Sequence, residues 1–445
     1  MKLTELQHIY FVGIGGIGMS ALARYFHHLG CEVSGYDKVE TTLTQQLVKE
    51  GITVGYVDEV GLLPEKIDLV VYTPAIPNNH QQLTHLKQQG YPVKKRAEVL
   101  GLISKNKKTI GVAGTHGKTT TSSILTHLLR TAGIDCTAFL GGIAGNLNSN
   151  FVAGQSEWVV MEADEFDRSF LHLHPHIGVI TSMDADHLDI YGQVEQLHES
   201  FEDYAQQVQE TLYVANGLPL KMQGAARHSY GLEEGTVRAR HFRAVAPHVY
   251  FDWEGFGEHW KELEFTLAGQ HNVWNATAAI AIAHQLGAKE AAVREGLKTF
   301  KGIKRRFEMV YEGEEQVYID DYAHHPTELE AAIQAARALY PNRQLTGVFQ
   351  PHLYSRTQDF AAGFAAALDL LDEVLLLDIY PARELPIEGV DSAIIYNKMK
   401  CTNKLLLAKD DLLGTLEKKH IEVLMTLGAG DIGALVPNIA KMLKK

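Results

Sequence analysis

The chain lacks most features that mark secreted, membrane-spanning or nucleic-acid-binding proteins. Only three cysteines occur among 445 residues, far apart and without metal-ligand spacing, which argues against a disulfide framework and predicts a reducing compartment. No apolar run approaches the roughly 18 residues needed to cross a bilayer, and the N-terminus has no secretory leader pattern. The net charge of −13 disfavours nucleic acid, because phosphate backbones select basic surfaces. We therefore expect a soluble, cytoplasmic, multidomain protein with no membrane or nucleic-acid partner.

The length and the order of apolar segments predict an α/β chain of several domains. A chain of 445 residues corresponds to roughly three domains of about 150 residues each. Apolar strands alternate with helical stretches along most of the chain, a pattern typical of parallel sheets with helices on both faces. Residues 236–267 lack helical periodicity and predict a small β insertion. We expect boundaries near residues 100 and 303.

The most informative segment is residues 108–121, KTIGVAGTHGKTTT. A β-prone run enters a glycine-rich turn, and a Lys-Thr pair then opens an amphipathic helix. Backbone N–H groups of such a turn surround phosphate oxygens, Lys118 would neutralise the β- and γ-phosphates, and the Thr119 hydroxyl would hold Mg²⁺. The alternative is a glycine turn that binds nothing, since Val112 stands where the strict pattern has glycine. The residues predicted to bind ATP here are Gly114, Thr115, His116, Gly117, Lys118, Thr119 and Thr120.

Acidic residues follow two further strands of the central region. Glu162 ends one predicted strand, and residues 184–189, DADHLD, follow the next. Because Mg²⁺ prefers carboxylate, hydroxyl and water oxygens, Thr119 and Glu162 would supply one site. His187 fits either a second, mixed metal site or a packed, hydrogen-bonded histidine.

The N-terminal region carries a glycine fingerprint of its own. Gly13, Gly15 and Gly18 follow the first apolar strand, and Asp37 ends the second. This pattern is typical of dinucleotide binding and leaves an NAD-dependent oxidoreductase as one interpretation. The phosphate loop in the middle of the chain argues against it.

Polar residues also gather before a helix in the C-terminal third, over residues 320–328, DDYAHHPTE. Thr327 and Glu330 fit a capping box, which predicts a helix start there. Arg356 follows another strand and could clamp a carboxylate with two hydrogen bonds, or simply pair with a neighbouring acid.

Taken in order along the chain, these motifs resemble those of the Mur ligase family. The segments that carry the resemblance are Gly13–Met19, Gly114–Thr121, Glu162–Glu165, Asp184–Asp189, Gly269–Asn272 with Asn275, Arg305–Glu308, Asp320–Glu328 and Phe349–His352. The resemblance implies a UDP-sugar-binding Rossmann-like domain over residues 1–100 and a central ATP-binding P-loop domain with a small β insertion over 101–303. It implies a C-terminal Rossmann-like domain for the amino acid and ATP closure over 304–445.

The activity implied by the resemblance is ATP-dependent, ADP-forming ligation for cell-wall peptidoglycan synthesis. L-Alanine would be joined to the lactyl carboxylate of UDP-N-acetylmuramic acid through an acyl phosphate, with ATP and two Mg²⁺ ions bound. The glycine loop favours this branch over the recycling ligase that adds a tripeptide to the same sugar nucleotide, which stays the alternative.

The resemblance also implies roles for individual residues. His271 and Asn275 would contact adenine, Asp321 the ribose and Arg306 the γ-phosphate, while His324 and Arg356 would face the amino acid. Thr119 and Glu162 would bind the first Mg²⁺ and His187 the second. The implied catalytic residues are Lys118, His187, Arg306, His324 and Arg356. The implied UDP-sugar residues are Gly13, Gly15, Gly16, Gly18 and Asp37. One departure is Leu353, which stands where the family usually has an arginine. A cation at this position is therefore either missing or supplied from elsewhere.

Overall fold

The computed structural model describes residues 3–184, 191, 193–221, 226–382 and 384–444. Its strands form three sheets, and the predicted α/β class is confirmed. The chain divides into two compact units. The first is Met1–Arg240, Trp253–Trp260 and Trp274–Gly296, and the second is His241–Asp252, Lys261–Val273 and Leu297–Lys445. Within the described ranges, every helix is too short or too polar to cross a bilayer.

The first sheet has five parallel strands in the order β3-β2-β1-β4-β5. Its strands are β1 (His8–Val12), β2 (Glu32–Tyr36), β3 (Thr53–Gly55), β4 (Leu69–Tyr72) and β5 (Val93–Lys95), and its helices are α1 (Ile17–His28), α2 (Thr42–Lys49), α3 (Gln81–Gln88) and α4 (Arg96–Lys105). Successive β1 side chains enter two buried clusters, Ile9 and Phe11 in one and Tyr10 and Val12 in the other. Both faces are therefore covered, and the order reverses at β1, where such sheets bind ligands.

The second sheet carries the phosphate loop. Its strands are β6 (Lys108–Ala113), β7 (Thr137–Ala144), β8 (Ser149–Val152), β9 (Trp158–Ala163), β10 (Ile177–Ile180), β11 (Thr211–Ala215), β12 (Ala226–Leu232), β13 (Val237–Val245), β14 (His248–Gly255) and β15 (Glu258–Phe265). The helices that follow are α5 (Lys118–Thr131), α6 (Val194–Gln207), α7 (Gln270–Gln285) and α8 (Glu290–Thr299). From β7 to β12 the order β7-β9-β6-β10-β11-β12 is parallel, while β8 pairs antiparallel with β7. Strands β13–β15 confirm the predicted insertion.

Register at the centre of this sheet explains where the site forms. Ala113 at the end of β6 pairs with Ala163 of β9 and with Ile180 of β10. The residues after these three strands therefore leave the sheet at one edge, the edge at which parallel sheets bind ligands.

One buried cluster runs through both sheets of the first unit. It includes Phe11 and Phe26 from β1 and α1, Val99 from α4, and Met161 and Phe170 from β9 and the segment after it. The Tyr25 and Phe139 rings also pack with their centroids 5.3 Å apart. The two sheets thus share one hydrophobic core.

The third sheet lies in the second unit and has the order β16-β17-β21-β18-β19-β20. Its strands are β16 (Glu308–Glu312), β17 (Val317–Asp321), β18 (Leu345–Phe349), β19 (Glu373–Leu377), β20 (Lys404–Leu407) and β21 (Val423–Leu427), and its helices are α9 (Pro326–Leu339), α10 (Tyr354–Leu368), α11 (Ala393–Tyr396), α12 (Leu412–Leu416) and α13 (Val436–Leu443). Only β16 among the described strands of this sheet runs antiparallel to its neighbour. Asp321, Leu427 and Phe349 are level at the carboxyl edge.

The capping box predicted from Thr327 and Glu330 is wrong. Helix α9 begins at Pro326, and the N-cap is His325, whose Nδ1 accepts a hydrogen bond from the Thr327 N–H at 3.4 Å. Proline suits the first helical position because its ring fixes φ and its missing N–H would have no partner there.

Candidate active site

The phosphate loop needs glycine at two positions. Gly117, the N-cap of α5, has φ +83°, and a Cβ there would lie 2.6 Å from Asn275 Oδ1. Gly114 has φ +139°, and a Cβ there would lie 2.8 Å from the Ser182 nitrogen. Residues other than glycine rarely adopt such positive φ values, and at these two positions a side chain would also clash with its neighbours. The loop therefore packs directly against the end of β10 and against α7.

The segment after β10 fixes the backbone of this loop. The Ser182 hydroxyl oxygen accepts a hydrogen bond from the His116 N–H at 2.7 Å and lies 2.9 Å from the Thr115 hydroxyl. The Asp184 N–H donates to Thr115 Oγ1 at 3.1 Å, and the His116 ring lies 3.6 Å from the Asp184 carboxylate. These bonds fix Thr115 and His116 at the edge where β6 ends.

Lys118 is buried against carboxylates. Its Nζ donates to the Gly114 carbonyl and to Glu165 Oε2, each at 2.6 Å, and the Glu165 side chain is 1% exposed. Burial lowers the pKa of Lys118, but Glu165, Asp164 and Glu162 together raise it by more, so the pKa stands above its usual value. The side chain is therefore an ammonium, and its charge is balanced by the segment after β9.

The structure brings together Thr119 and Glu162, the two residues predicted for the first metal site. The Thr119 hydroxyl donates to Glu162 Oε1 at 2.6 Å. Oε2 of the same carboxylate is buried and has no hydrogen-bond partner among the described residues. A buried, unsatisfied carboxylate oxygen is costly unless another group binds it, and a hard cation prefers this donor set. These two residues therefore fit Mg²⁺.

Side chains alone do not enclose a metal in the part of the chain that the structure describes, because it contains no group of three or more His, Cys, Asp or Glu that could hold one. Mg²⁺ usually keeps several waters and is bound through one or two carboxylates together with substrate phosphates. His187, predicted for a second Mg²⁺, lies outside the described residues.

The remaining ATP-binding predictions fall on two helices. Thr120 is buried in the first turn of α5. His271 and Asn275 lie one turn apart on α7, and Asn275 contacts the phosphate loop as described above. Burial lowers the pKa of His271 to about 4, although Glu328 acts to raise it. His271 is therefore a neutral ring at neutral pH.

Asp37 forms a hydrogen bond with the N-terminal glycine loop. The Gly15 N–H donates to Asp37 Oδ2 at 2.7 Å, and a Cβ on Gly15 would lie 2.8 Å from that oxygen. Gly13 has φ +87°, and Gly16 is the N-cap of α1. The residues predicted for the UDP-sugar, Gly13, Gly15, Gly16 and Asp37, therefore lie together beyond the ends of β1 and β2.

Arg96, which sequence reasoning missed, lies beside this loop. A Cβ on Gly18 would meet its guanidinium, with Arg96 Cζ 3.2 Å away. Arg96 also donates to Asp164 Oδ2 at 3.0 Å, and the neighbouring Lys95 donates to Asp167 at 2.8 Å. No motif contains Arg96; its only sequence signal is its place directly after β5. One cation thus contacts both the glycine loop and the acidic segment after β9.

In the second unit, Asp321 lies at the carboxyl edge of the third sheet. Its two oxygens accept hydrogen bonds from the Phe307 N–H at 2.6 Å and the Ala323 N–H at 2.7 Å. Burial raises its pKa to about 7, although Arg306 and these bonds lower it. Asp321 is therefore a carboxyl that changes charge near neutral pH.

Arg306 and His324 meet at the same edge, on either side of Glu328. The Arg306 guanidinium lies 3.7 Å from Glu328 Oε1 and 5.4 Å from the centre of the Tyr322 ring. The His324 N–H donates to Glu328 Oε2 at 3.0 Å. The structure therefore brings two predicted site residues together through an acid to which sequence reasoning assigned no role.

Arg356 lies in the first turn of α10, and its charge lowers the pKa of His324. Glu384, which the motifs also missed, accepts hydrogen bonds from the Ser355 N–H at 3.0 Å and the Ser355 hydroxyl at 2.5 Å. The N-cap Leu353 has φ +69°, and its N–H donates to the Tyr380 carbonyl at 3.0 Å. The backbone at Leu353 is thus fixed without an arginine side chain.

Comparison with known protein families decides the assignment. Three domain families match in succession: Mur ligase family, catalytic domain, over residues 8–108; Mur ligase middle domain over 112–283; and Mur ligase, glutamate ligase domain, over 305–431. The chain belongs to the Mur ligase family. This membership confirms the predicted resemblance and favours a ligase over the oxidoreductase interpretation.

Relatives of this Mur ligase extend over its full length. UDP-N-acetylmuramate–L-alanine ligase of Flavobacterium johnsoniae is 48% identical, with all of both chains covered, and that of Porphyromonas gingivalis strain W83 is 46% identical, with 99% of each covered. Among solved structures, UDP-N-acetylmuramate–alanine ligase of Thermotoga maritima has a TM-score of 0.85 at 30% identity and covers 98% of this chain and 99% of its own. A murein peptide ligase of Psychrobacter arcticus, at 23% identity and a TM-score of 0.70, covers 98% of each chain and shares the fold.

Proposed function

We propose that this Mur ligase joins L-alanine to the lactyl carboxylate of UDP-N-acetylmuramic acid and converts ATP to ADP and phosphate. The product would be a precursor of peptidoglycan. The observation that carries the proposal is the phosphate loop with its buried Lys118 and Thr119–Glu162 pair, in a chain whose full-length relatives bear that ligase name. Small molecules alone would be its substrates, and we expect it to act in the cytoplasm.

In the first half-reaction, an oxygen of the lactyl carboxylate attacks the γ-phosphorus of ATP. The bond from that phosphorus to the ADP oxygen breaks, and an acyl phosphate forms. Lys118 and Arg306 would stabilise the charge on the transferred phosphoryl group. Thr119 and Glu162 would hold one Mg²⁺ and His187 a second, and bound Mg²⁺ would neutralise phosphate charge.

The nucleotide base and ribose would be held by other residues. His271, neutral because of burial, and Asn275 would contact adenine, and Asp321 would bind the ribose hydroxyls. Within the loop Gly114–Thr120, the main-chain N–H groups at the start of α5 would bind the phosphates, as helix N-termini commonly do. The His116 N–H is already bonded to Ser182.

In the second half-reaction, the amine of L-alanine attacks the acyl carbon and phosphate leaves. Arg356 would hold the alanine carboxylate and so orient the amine, because guanidinium matches carboxylate geometry. We assign sugar-nucleotide binding to residues 1–100, ATP binding to 101–303 and amino-acid binding to 304–445. The three family matches lend support to this division.

The test is phosphate release from ATP in the presence of Mg²⁺ and UDP-N-acetylmuramic acid. L-Alanine, glycine, L-serine and the tripeptide of the recycling reaction are added in turn. We expect release that requires both sugar nucleotide and L-alanine, with the mass of the amide product. Release with the tripeptide alone would replace the proposal by the recycling ligase, and release without the sugar nucleotide would contradict both.

Replacing Arg96 by glutamine should weaken the binding of UDP-N-acetylmuramic acid about 10-fold or more. A charge-assisted hydrogen bond contributes about 1.5–3 kcal/mol, and the Arg96 guanidinium is the cation beside Gly18. Calorimetric titration with UDP-N-acetylmuramic acid and with ADP checks this, and ADP affinity should stay unchanged.

The matched control for Arg96 is Lys95→Gln. It removes the same charge one residue earlier and also breaks an ion pair to the segment after β9, with Asp167. Equal sugar-nucleotide affinity in both variants would contradict a role for Arg96 at the glycine loop.

A further inference from the structure

Glu328, in the first turn of α9, contacts two groups with separate proposed tasks. Its Oε2 accepts the His324 N–H at 3.0 Å and lies 3.3 Å from His324 Nδ1, while Oε1 lies 3.7 Å from the Arg306 guanidinium. The Glu328 side chain is 16% exposed. It is therefore a largely buried acid between the arginine proposed for the γ-phosphate and the histidine proposed for the amino acid.

The hydrogen bonds of His324 determine which ring nitrogen carries the proton. Nδ1 lies 2.9 Å from the Tyr322 carbonyl oxygen. A carbonyl oxygen can only accept a hydrogen bond, so Nδ1 must be the donor. In a neutral imidazole the other nitrogen then has an unprotonated lone pair. Nε2 is therefore the basic atom of His324.

Charged and polar groups from several elements act on this ring. Glu328 comes from α9, Arg356 from α10, and Arg306 from the segment before β16, while the His352 ring lies 6.2 Å away. Burial lowers the pKa of His324, Arg356 and Arg306 lower it further, and Glu328 and the Tyr322 carbonyl raise it. Glu328 thus raises the pKa of His324 and acts against burial and the two arginines, which make the ring a weaker base.

We propose that His324 Nε2 accepts the proton of the alanine ammonium and that Glu328 is the positioning residue that orients this base. An N–H bond of the ammonium breaks and its proton passes to Nε2. The nitrogen lone pair forms the N–C bond at the acyl carbon, and the C–O bond to phosphate breaks with its electron pair on phosphate. A second proton leaves the nitrogen and passes to the departing phosphate, so that the product is a neutral amide. This inference rests on the proposed function.

The test compares Glu328→Gln with the wild-type enzyme over pH 5.5–9, with kcat/KM for L-alanine as the readout. Glutamine keeps the shape but loses the charge that raises the pKa of His324. We expect the acid limb of the profile to move to lower pH and the plateau to fall about 10-fold, since proton-transfer efficiency follows basicity. In His324→Ala, kcat/KM for L-alanine should fall by about 10²–10⁴-fold, the usual contribution of a general base. The acid limb of the pH profile should disappear in this variant.

Two further variants separate positioning from folding. Glu330→Gln removes the same charge two residues later, at an exposed position where Glu330 accepts from Gln334 at 2.9 Å, and its profile should match wild type. Glu328→Asp restores the charge and should return the acid limb toward its wild-type position. A Glu328→Gln profile that coincides with that of Glu330→Gln would overturn the inference.

Isotope exchange between ADP and ATP, dependent on UDP-N-acetylmuramic acid, reads the first half-reaction alone. We expect His324→Ala to retain this exchange. Loss of exchange in proportion to ligation would overturn the inference, because His324 would then act before the amine does. Absence of ligation by the wild-type enzyme would instead contradict the proposed function, so the two failures are distinguishable.

Discussion

Replacing Lys118 by alanine is expected to lower kcat for ligation by about 10²–10³-fold or more, the loss typical when one charge-stabilising donor is removed. Lys118 is the cation that follows the glycine turn, and its ammonium is buried against the segment after β9. UDP-N-acetylmuramic acid should still bind, since its proposed site uses the first sheet. Steady-state kinetics and calorimetric titration with the sugar nucleotide measure the two effects.

Stability must be separated from catalysis in this experiment. Lys118→Ala leaves Glu165 buried without its ammonium partner, and breaking a buried ion pair in this way costs about 3–5 kcal/mol. The double variant Lys118→Met with Glu165→Gln removes both charges and should recover much of that free energy of unfolding without recovering activity. Lys108→Ala, which breaks an exposed ion pair with Glu157, is the control. Recovery of activity in the double variant would contradict the role of Lys118.

Replacing Glu162 by glutamine is expected to lower the apparent affinity for Mg²⁺ by at least about 10–100-fold. Loss of an outer-shell partner of a metal ligand already has an effect of this size. Glu162 Oε2 is the buried acceptor that the described protein leaves without a partner. Glutamine has no negative charge and replaces one of the two carboxylate oxygens by an N–H₂ group, which cannot bind a hard cation. Titration of ligation activity with Mg²⁺ at saturating ATP measures the change.

Glu157→Gln is the matched control for Glu162. Glu157 immediately precedes β9, and its side chain is 60% exposed beside Lys108. This variant should titrate with Mg²⁺ as the wild-type enzyme does. An unchanged Mg²⁺ dependence in Glu162→Gln would contradict the Thr119–Glu162 site, whereas equal melting temperatures for both variants would exclude a folding defect as the cause.

Local sequence pattern predicted the phosphate loop because all of its determinants lie within fourteen residues. Strand β6, the glycine turn and the Lys118–Thr131 helix occur as predicted. The partner of Lys118 could not be predicted in this way. Glu165 reaches it only because β9 and β6 are neighbours in register, and register is a property of the whole sheet.

Residues outside the motifs were missed for the same reason. Arg96 contacts Gly18 and Asp164 through the order of strands, which no periodicity in the sequence reveals. Glu328 lies within a motif, but the capping pattern predicts a helix start at Thr327. The observed start at Pro326 explains how the Glu328 carboxylate reaches the His324 N–H. A capping pattern indicates candidate hydrogen-bond partners, but the backbone conformation determines which of them come into contact.

The core shared by the first two sheets restricts how such enzymes can be recombined. Phe11, Phe26 and Val99 belong to the same buried cluster as Met161 and Phe170, so a cut near residue 100 would strip apolar surface from both pieces. Exposed patches of that kind favour aggregation. A chimera with the sugar-nucleotide region of a relative should therefore exchange the contacting side chains of both sheets together, and a transplanted first sheet alone should yield an insoluble product.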